Sequence, residues 1–154
     1  MILPNIVKKT VYFQLETANK SFRDMHFFLK NKGIENNAFF LILHDSDLAG
    51  IDPFDPNLNA FMKRKILREC MINYWYFIRE CVRIPDNGGT GHGKKYQLHR
   101  GNLAMSFCVN LNLSIFFELS RQLGKTLSVL IRLLWEFNFG TQNSEMIFLH
   151  KKHE

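Results

Sequence analysis

Apolar positions recur at helical spacing in the first part of the chain. Residues 17 to 33, "TANKSFRDMHFFLKNKG", carry this pattern at Phe22, Met25, Phe28 and Leu29. Ser21 with Asp24 can cap the start of a helix here, and Gly33 can end it. The segment therefore predicts one amphipathic helix.

A longer helical segment runs from about residue 57 to 81, with a break predicted near Asn73. Apolar residues step by four along one side of it, in the rows Met62, Ile66, Cys70 and Leu67, Met71. Pro85 closes the segment, and "YWYF" at 74 to 77 is expected in the core rather than on a base-stacking surface.

The stretches around this helix carry weaker patterns. "NAFFLILHD" (37 to 45) is an apolar run that periodicity cannot assign to strand or helix. "DLAGIDPFDPNLN" is predicted to be loop, because Gly50, Pro53 and Pro56 lie close together in it. "DSDLAG" (45 to 50) resembles the start of a calcium loop, but Pro56 stands where a bidentate glutamate is needed, so we expect a turn.

The pattern changes after the glycine-rich stretch "PDNGGTGHGKK" (85 to 95), which we interpret as a linker. "LNLSIFFEL" (111 to 119) indicates a buried strand, residues 126 to 137 an apolar helix, and "SEMIFLH" (144 to 150) a second strand. Strand, helix and strand in this order predict a βαβ unit with a parallel sheet and a right-handed crossover. The fold class predicted is therefore α/β.

Composition narrows the class of protein. The 154 residues are 46% hydrophobic, which indicates one packed domain, and the formal charge of +6 would suit a polyanionic partner, although many basic proteins bind no nucleic acid. No apolar run approaches the roughly 20 residues that cross a bilayer, so we expect a soluble, unexported protein. Cys70, Cys81 and Cys108 are odd in number and lack metal-site spacing, which favours a reducing compartment.

Two stretches resemble a phosphate-binding loop of the pattern G-x-x-x-x-G-K-[ST]. Gly124-Lys125-Thr126 matches its end but has Leu119 in place of the first glycine, whereas "GGTGHGKK" (88 to 95) fails only at Lys95. A phosphate loop joins a strand to the N-terminus of a helix, where backbone N–H groups converge on anionic oxygens. Only the first stretch has that context, although an ordinary strand-to-helix turn remains its alternative.

In a phosphate loop, each of these residue types has a chemical role. Lys125 would reach the β- and γ-phosphates, and Thr126 would hold magnesium through its hydroxyl. Gly124 would let the backbone approach the phosphates closely. Arg121 is either an arginine finger acting from its own chain or a solvent-facing loop arginine.

The stretch "SRQLGKT" resembles the variant Walker A motif of the large terminase subunits of tailed bacteriophages, in which the first glycine is commonly absent and an arginine lies inside the loop. "YQLHRGN" (96 to 102) is similar to the glutamine motif of the same proteins. "NYWYFIRECVRIP" (73 to 85) and "FGTQNSEMIFLHKK" (139 to 152) also look like terminase sequence. The resemblance implies that nucleotide is bound by Ser120, Arg121, Gln122, Leu123, Gly124, Lys125 and Thr126, with adenine contacted by Gln97.

The family also implies an architecture and partners. Residues 1–87 would form a mostly helical N-terminal region, 88–95 a glycine-rich linker, and 96–154 the start of a P-loop ATPase core of the ASCE type. The implied cofactors are ATP and Mg²⁺, and the implied substrate is double-stranded DNA. The implied partners are the portal protein, the small terminase subunit and further copies in a ring, acting in the host cytoplasm on the viral procapsid.

One part of such an ATPase is missing after the loop, namely a Walker B strand ending in Asp-Glu. The carboxylates that follow Thr126 are Glu136, Glu145 and Glu154, and none of them ends an apolar strand. "FFLILHD" (39 to 45) resembles a Walker B strand but precedes the loop and continues with Ser46, so we interpret it as packing. We therefore expect an incomplete core, the N-terminal piece of a larger motor, that is inactive in ATP hydrolysis by itself.

Two other functions stay open on the sequence. A P-loop nucleic-acid helicase also pairs a glutamine motif with a Walker A loop, although it usually keeps the first glycine. A basic nucleic-acid-binding module without enzymatic activity would bind DNA with steep salt dependence and indifferently to ATP.

Overall fold

The computed structural model describes residues 12–85, 93–111, 116, 118 and 125–140, which form a mixed α/β structure that is mostly helical. Short 3₁₀ turns occupy Phe39–Leu41 and Ser46–Leu48, and a π-helical turn, Phe77–Cys81, continues the third helix. The strands are β1 (Tyr12–Phe13), β2 (Ile42–Leu43), β3 (Arg83–Ile84) and β4 (Lys94–Lys95). The helices are α1 (Lys20–Asn31), α2 (Ala60–Ile72), α3 (Tyr74–Tyr76), α4 (Arg100–Asn110) and α5 (Lys125–Phe139).

The described strands form two small antiparallel sheets. β1 pairs with β2, with Tyr12 opposite Leu43, and β3 pairs with β4, with Arg83 opposite Lys95. Both pairs link segments that lie before α4 in the chain, and α1 lies between β1 and β2. They are separate from the parallel βαβ unit that the sequence predicts for residues 111 to 150.

The structure describes only part of that βαβ unit. Its helix is present as α5, while the second strand (144 to 150) lies outside the described residues. Of the first strand (111 to 119), Leu111 is in a turn, and Phe116 and Glu118 lie in no regular structure. Phe116 is 91% exposed, so at these positions the prediction of a buried strand is wrong. The parallel core itself stays a prediction.

Helix α1 begins at Lys20, one residue before the predicted cap Ser21. Asn19 is the N-cap residue, with an extended backbone, and the prediction that Ser21 and Asp24 cap the helix is wrong. Ser21 Oγ instead donates to Asn19 Oδ1 (2.8 Å) and accepts from Leu98 N–H (2.9 Å). It thereby joins the start of α1 to the segment before α4. The end near Gly33 is confirmed, because this glycine has a φ of +76°.

The predicted break at Asn73 is confirmed. The Asn73 side chain accepts from Tyr76 N–H (3.1 Å), which starts α3, and donates to Ile42 O (2.9 Å). Since an amide can satisfy the freed backbone of a new helix and bind elsewhere with its NH₂ group, the chain turns here without losing hydrogen bonds. Tyr74, Trp75 and Tyr76 are buried, as expected for core aromatics.

The apolar run "NAFFLILHD" is divided between a 3₁₀ turn and strand β2, and its end is bound to α2. The backbone N–H groups of His44 and Asp45 donate to the two carboxylate oxygens of Glu69 at 3.0 and 3.2 Å. Asp45 in turn accepts from Asp47 N–H in a tight turn. Phe40, Leu41 and Leu43 of the Walker B-like run are fully buried, which confirms that it is packing, and the 3₁₀ turn Ser46–Leu48 confirms that "DSDLAG" is a turn.

The principal core joins segments on both sides of the predicted linker. Phe22, Phe40, Tyr74 and Ile78 from the first 87 residues pack with residues that follow the linker, which include Tyr96, Leu98, Leu103 and Ile131. Within the part of the chain that the structure describes, the predicted division at residues 88–95 is therefore not a gap in packing. Among the described helices, none has the length and apolarity to cross a membrane.

Candidate nucleotide-binding site

The candidate adenine residue, Gln97, lies between β4 and the start of α4. Its side chain is exposed, and its Nε2 donates to Lys95 O at 3.0 Å. Its main-chain oxygen accepts from Asn102 Nδ2 at 2.9 Å, which fixes the backbone of Gln97 against the first turn of α4. The amide can therefore turn from Lys95 O to a ligand without any change in the chain path.

The candidate phosphate loop meets the described structure at its last residues. Helix α5 begins at Lys125, one residue before the start that the sequence predicts. Thr126, the candidate magnesium ligand, is exposed on the first turn of this helix. Ser120, Arg121, Gln122, Leu123 and Gly124 lie outside the described residues, as does the side chain of Lys125.

A buried hydrogen bond connects these two parts of the candidate site. The Tyr96 hydroxyl and Ser128 Oγ are 2.7 Å apart, and the two residues are 3% and 3% exposed. Tyr96 directly precedes Gln97, and Ser128 lies two residues after Thr126. The start of α5 is thus held beside the glutamine segment. Burial raises the pKa of Tyr96, so its hydroxyl keeps its proton and can take part in this bond.

Asn19 extends the support of this segment to the opposite side of the core. Its Nδ2 donates to Tyr96 O and to Arg79 O, both at 3.0 Å. Arg79 is fully buried, and its Nη1 donates to Phe40 O at 2.7 Å. Because each polar group is paired, the segment that carries Gln97 is attached to the core at several points.

Gln97 and Leu127, an apolar residue of the first turn of α5, line one open cleft of about 1220 Å³. Thr126 is not among the described residues that line it. The walls of the cleft combine apolar side chains, such as Met25, Leu98 and Leu127, with polar groups at the rim. The charged groups among the lining residues are the cations Lys20 and Arg100, together with Asp24. Such a cleft suits a ligand with a flat, largely apolar body and an anionic end.

One aromatic ring in this cleft is already paired with a cation. The Arg100 guanidinium carbon lies 5.6 Å from the centre of the Phe28 ring, and Phe28 is 36% exposed. Cation and ring at this separation attract each other through the ring quadrupole. Arg100 is also the first residue of α4, so the pair sets one edge of the cleft next to Gln97.

The described residues contain no group of three histidine, cysteine or acidic side chains arranged to hold a metal ion. The magnesium ligand that the sequence proposes, Thr126, supplies one hydroxyl group, which fits an ion carried mainly by phosphate oxygens and water. Glu136, a carboxylate that follows the loop, pairs with Arg132 one turn earlier on α5. The Glu136 carboxylate is therefore engaged in an ion pair within α5.

The rival glycine-rich loop is built differently. Lys94 and Lys95 form strand β4, and Lys95 Nζ donates to the buried Glu80 at 3.2 Å. Gly93 has a φ of +67°, while residues 88 to 92 lie outside the described part of the chain. A strand rather than a helix follows this Gly-Lys pair, so it lacks the helix N-terminus on which phosphate binding depends.

Sequence reasoning did not find Tyr96, Ser128 or Asn19 as supporting residues. A tyrosine in an apolar segment indicates that its hydroxyl needs a partner, but the partner lies 32 residues away. No spacing rule connects the two positions. Asn19 likewise binds carbonyl groups 60 and 77 residues away in the chain.

No protein-family model matches the chain, and no curated protein or solved structure matches it either. The terminase resemblance therefore rests on the motifs quoted above.

Proposed function

We propose that this chain is the nucleotide-binding N-terminal portion of the ATPase of a phage large terminase subunit. In this proposal it binds ATP with Mg²⁺ for the translocation of double-stranded DNA into the procapsid. The portal protein, the small terminase subunit and further copies in a ring are its proposed partners. Hydrolysis is not expected of this chain alone, because no aspartate follows Lys125.

The observation that carries the proposal is the cleft lined by Gln97 and by Leu127, which lies on the first turn of α5. The terminase resemblance implies that these two segments bind opposite ends of one nucleotide, with adenine at Gln97 and phosphates at Lys125. They are separated by 28 positions in the chain, counted from 97 to 125. The Tyr96–Ser128 hydrogen bond keeps them adjacent, which a nucleotide spanning both would require.

Each of the proposed nucleotide-binding residues has a separate chemical task. Gln97 can donate to and accept from the adenine edge at the same time, which is why a glutamine suits that position. Lys125 would neutralise the β- and γ-phosphates, and the N-terminal N–H groups of α5 would favour the same anionic oxygens. Thr126 would complete the magnesium shell with one hydroxyl oxygen.

The experiment is a thermal unfolding series with the full chain. Mg-ATP at a concentration 100 times its dissociation constant should stabilise the fold by about 2.7 kcal/mol and raise the melting temperature accordingly. Lys125→Ala should abolish the shift, because the phosphates lose their cation. Gln97→Ala should weaken the binding of ATP and leave the binding of inorganic tripolyphosphate unchanged, because Gln97 is proposed to contact only the adenine base.

The matched control is Lys94→Ala, which removes a lysine from the rival Gly-Lys pair. If Lys94→Ala removes the shift and Lys125→Ala keeps it, the assignment of the phosphate loop is wrong. Steep salt-dependent DNA binding with no response to Mg-ATP would instead support the non-enzymatic module.

A further inference from the structure

Helix α2 turns large apolar side chains to the outside. Phe61, Leu67, Met71 and Ile72 are 60%, 53%, 50% and 57% exposed. Leu67 and Met71 form one of the rows that step by four in the sequence. The other row is the buried one, so α2 carries a second apolar row that the core does not use.

The same face of α2 is positively charged. Lys63, Arg64 and Arg68 are exposed on it. The sole carboxylate in the sequence of this helix, Glu69, is 2% exposed and accepts from the backbone N–H groups of His44 and Asp45. Glu69 is therefore engaged inside the protein, and no other carboxylate lies on α2. From the neighbouring turn, Asp45 and Asp47 pair with Lys65 at the edge of this face.

The order of these side chains around the helix is informative. At 3.6 residues per turn, each residue is rotated by about 100° from the one before it. Arg64 and Arg68 then lie side by side, one turn apart, along the middle of the exposed face. Leu67 and Met71 flank them on one side, and Phe61 and Ile72 flank them on the other.

We propose that this face of α2, from Phe61 to Ile72, is the docking site for an acidic amphipathic helix of a protein partner. Two carboxylates one helical turn apart on the partner would meet Arg64 and Arg68. Arginine and carboxylate pair in a bidentate, planar geometry. The apolar side chains beside those carboxylates would cover the two apolar rows, as in other helix-on-groove complexes.

The arrangement favours a protein over nucleic acid or lipid. A phosphate backbone would pair with the arginines but would gain nothing from covering Leu67, Met71 and Ile72. In a helix that lies on a membrane, the apolar stripe is continuous and the cations stand at its edges. Here the cations stand in the middle, so insertion of the apolar rows would carry two guanidinium groups into the acyl boundary.

The test uses a labelled helical peptide of about 18 residues, with two glutamates four positions apart between rows of leucine. Its fluorescence anisotropy is titrated with the full chain. The peptide should bind saturably, and Arg64→Glu with Arg68→Glu should weaken it by roughly tenfold or more. Leu67→Ser with Met71→Ser should weaken peptide binding by a similar factor, because the leucines of the peptide lose their apolar contacts.

The control variant combines Arg23→Glu with Lys30→Glu on α1, which changes the net charge by the same amount at exposed positions. It should leave peptide affinity within about twofold. A second peptide with lysine in place of glutamate should bind the Arg64→Glu, Arg68→Glu variant better than it binds the native chain. Far-UV circular dichroism confirms that each variant is folded.

Several results would overturn the proposal. They are the absence of saturable peptide binding, an equal loss in the α1 control, and failure of the charge-reversed peptide to recover affinity. A labelled DNA duplex and vesicles with anionic headgroups are titrated in parallel. If either binds through Arg64 and Arg68 with no effect of the Leu67 and Met71 substitutions while the peptide does not bind, the surface recognises a polyanion and the protein partner is wrong.

Discussion

Tyr74, Tyr76 and Tyr96 carry their hydroxyl groups into the core, where the ionised form of each is disfavoured. Burial is the largest cause that raises the pKa of all three, and it brings the pKa of Tyr74 to about 12. Tyr96 uses its retained proton in the bond to Ser128. At the scale of single residues, the core therefore depends on phenol groups that stay neutral.

A pH dependence follows for Tyr74. Its pKa is about 12 in the folded chain against 10.0 for the free side chain, so the folded state holds the proton that the unfolded state releases. The stabilisation is complete below pH 10 and is lost as pH rises through 12. In urea titrations from pH 9 upwards, Tyr74→Phe should flatten the decline in the free energy of unfolding.

The control for this measurement is Tyr12→Phe, because Tyr12 is 47% exposed. Its decline with pH should match that of the native chain. An identical decline in the Tyr74→Phe variant would contradict the role given to Tyr74, since the loss would then come from other titrating groups.

The sequence predicted the roles of residues that act on neighbours within a few positions in the chain. The break at Asn73 and the end of α1 near Gly33 follow from side-chain caps and a left-handed glycine, which act within a few positions. Ser21 was assigned the wrong partner, because its hydroxyl joins Leu98 N–H, 77 residues away. Long-range hydrogen bonds of this kind leave no periodic trace in a sequence.

At the scale of elements, α2 and α3 are both capped by an asparagine, but the two asparagines differ in burial and in the number of hydrogen bonds that they make. Asn59 caps α2 at an exposed position, where Oδ1 accepts from Met62 N–H at 2.8 Å. Asn73 caps α3 and is 4% exposed, and its Nδ2 also donates to Ile42 O and Glu69 Oε1. Removal of each side chain therefore has a different cost.

Asn59→Ala should lower the free energy of unfolding by about 1 kcal/mol, the usual value of an exposed cap. Asn73→Ala should lower it by roughly 3 kcal/mol, because it leaves several buried groups without partners. Chemical denaturation of both variants measures the difference. Equal losses would show that the buried contacts of Asn73 contribute nothing beyond the cap.

Elements were predictable to the extent that their pattern was periodic. α1, the two parts of the long helical segment, and α5 were each found from apolar spacing. The apolar run at 37 to 45 could not be assigned, because it is divided between a 3₁₀ turn and a two-residue strand, both too short to show a period. The sequence placed Leu67 and Met71 on one side of the helix with Ile66 and Cys70, but the first two are half-exposed and the last two are buried. Periodicity locates apolar residues without saying what covers them.

For the whole molecule, the main question is whether the segments on either side of residues 88–95 unfold together. Ile131 on α5 is 5% exposed and packs in the same cluster as Phe22 and Tyr74. Ile131→Ala should lower the free energy of unfolding by roughly 3 kcal/mol. Circular dichroism and tryptophan fluorescence should still report one coincident transition.

Leu134→Ala is the comparison on the same helix, because Leu134 is 51% exposed. Its effect should stay below about 1 kcal/mol. Two separate transitions in the native chain would instead support the division into regions that the sequence predicted.

The sequence could nominate Gln97 and Lys125 as candidate site residues. It could not predict the Tyr96–Ser128 hydrogen bond that joins their segments, because only the tertiary structure brings these two residues together.

Gly93 has a consequence for how this sequence is searched. A Cβ atom at that position would lie 2.7 Å from Ile84 O, and the backbone has a positive φ, so the antiparallel approach of β4 to β3 admits glycine alone. "GGTGHGKK" matches the nucleotide-binding pattern more closely because it contains Gly93-Lys94. The pairing of β4 with β3 is sufficient to explain this glycine. A comparison of sequence patterns alone ranks "GGTGHGKK" above "SRQLGKT", whereas the requirement that a helix follow the lysine reverses this ranking, because Lys94 lies in a strand and α5 begins at Lys125.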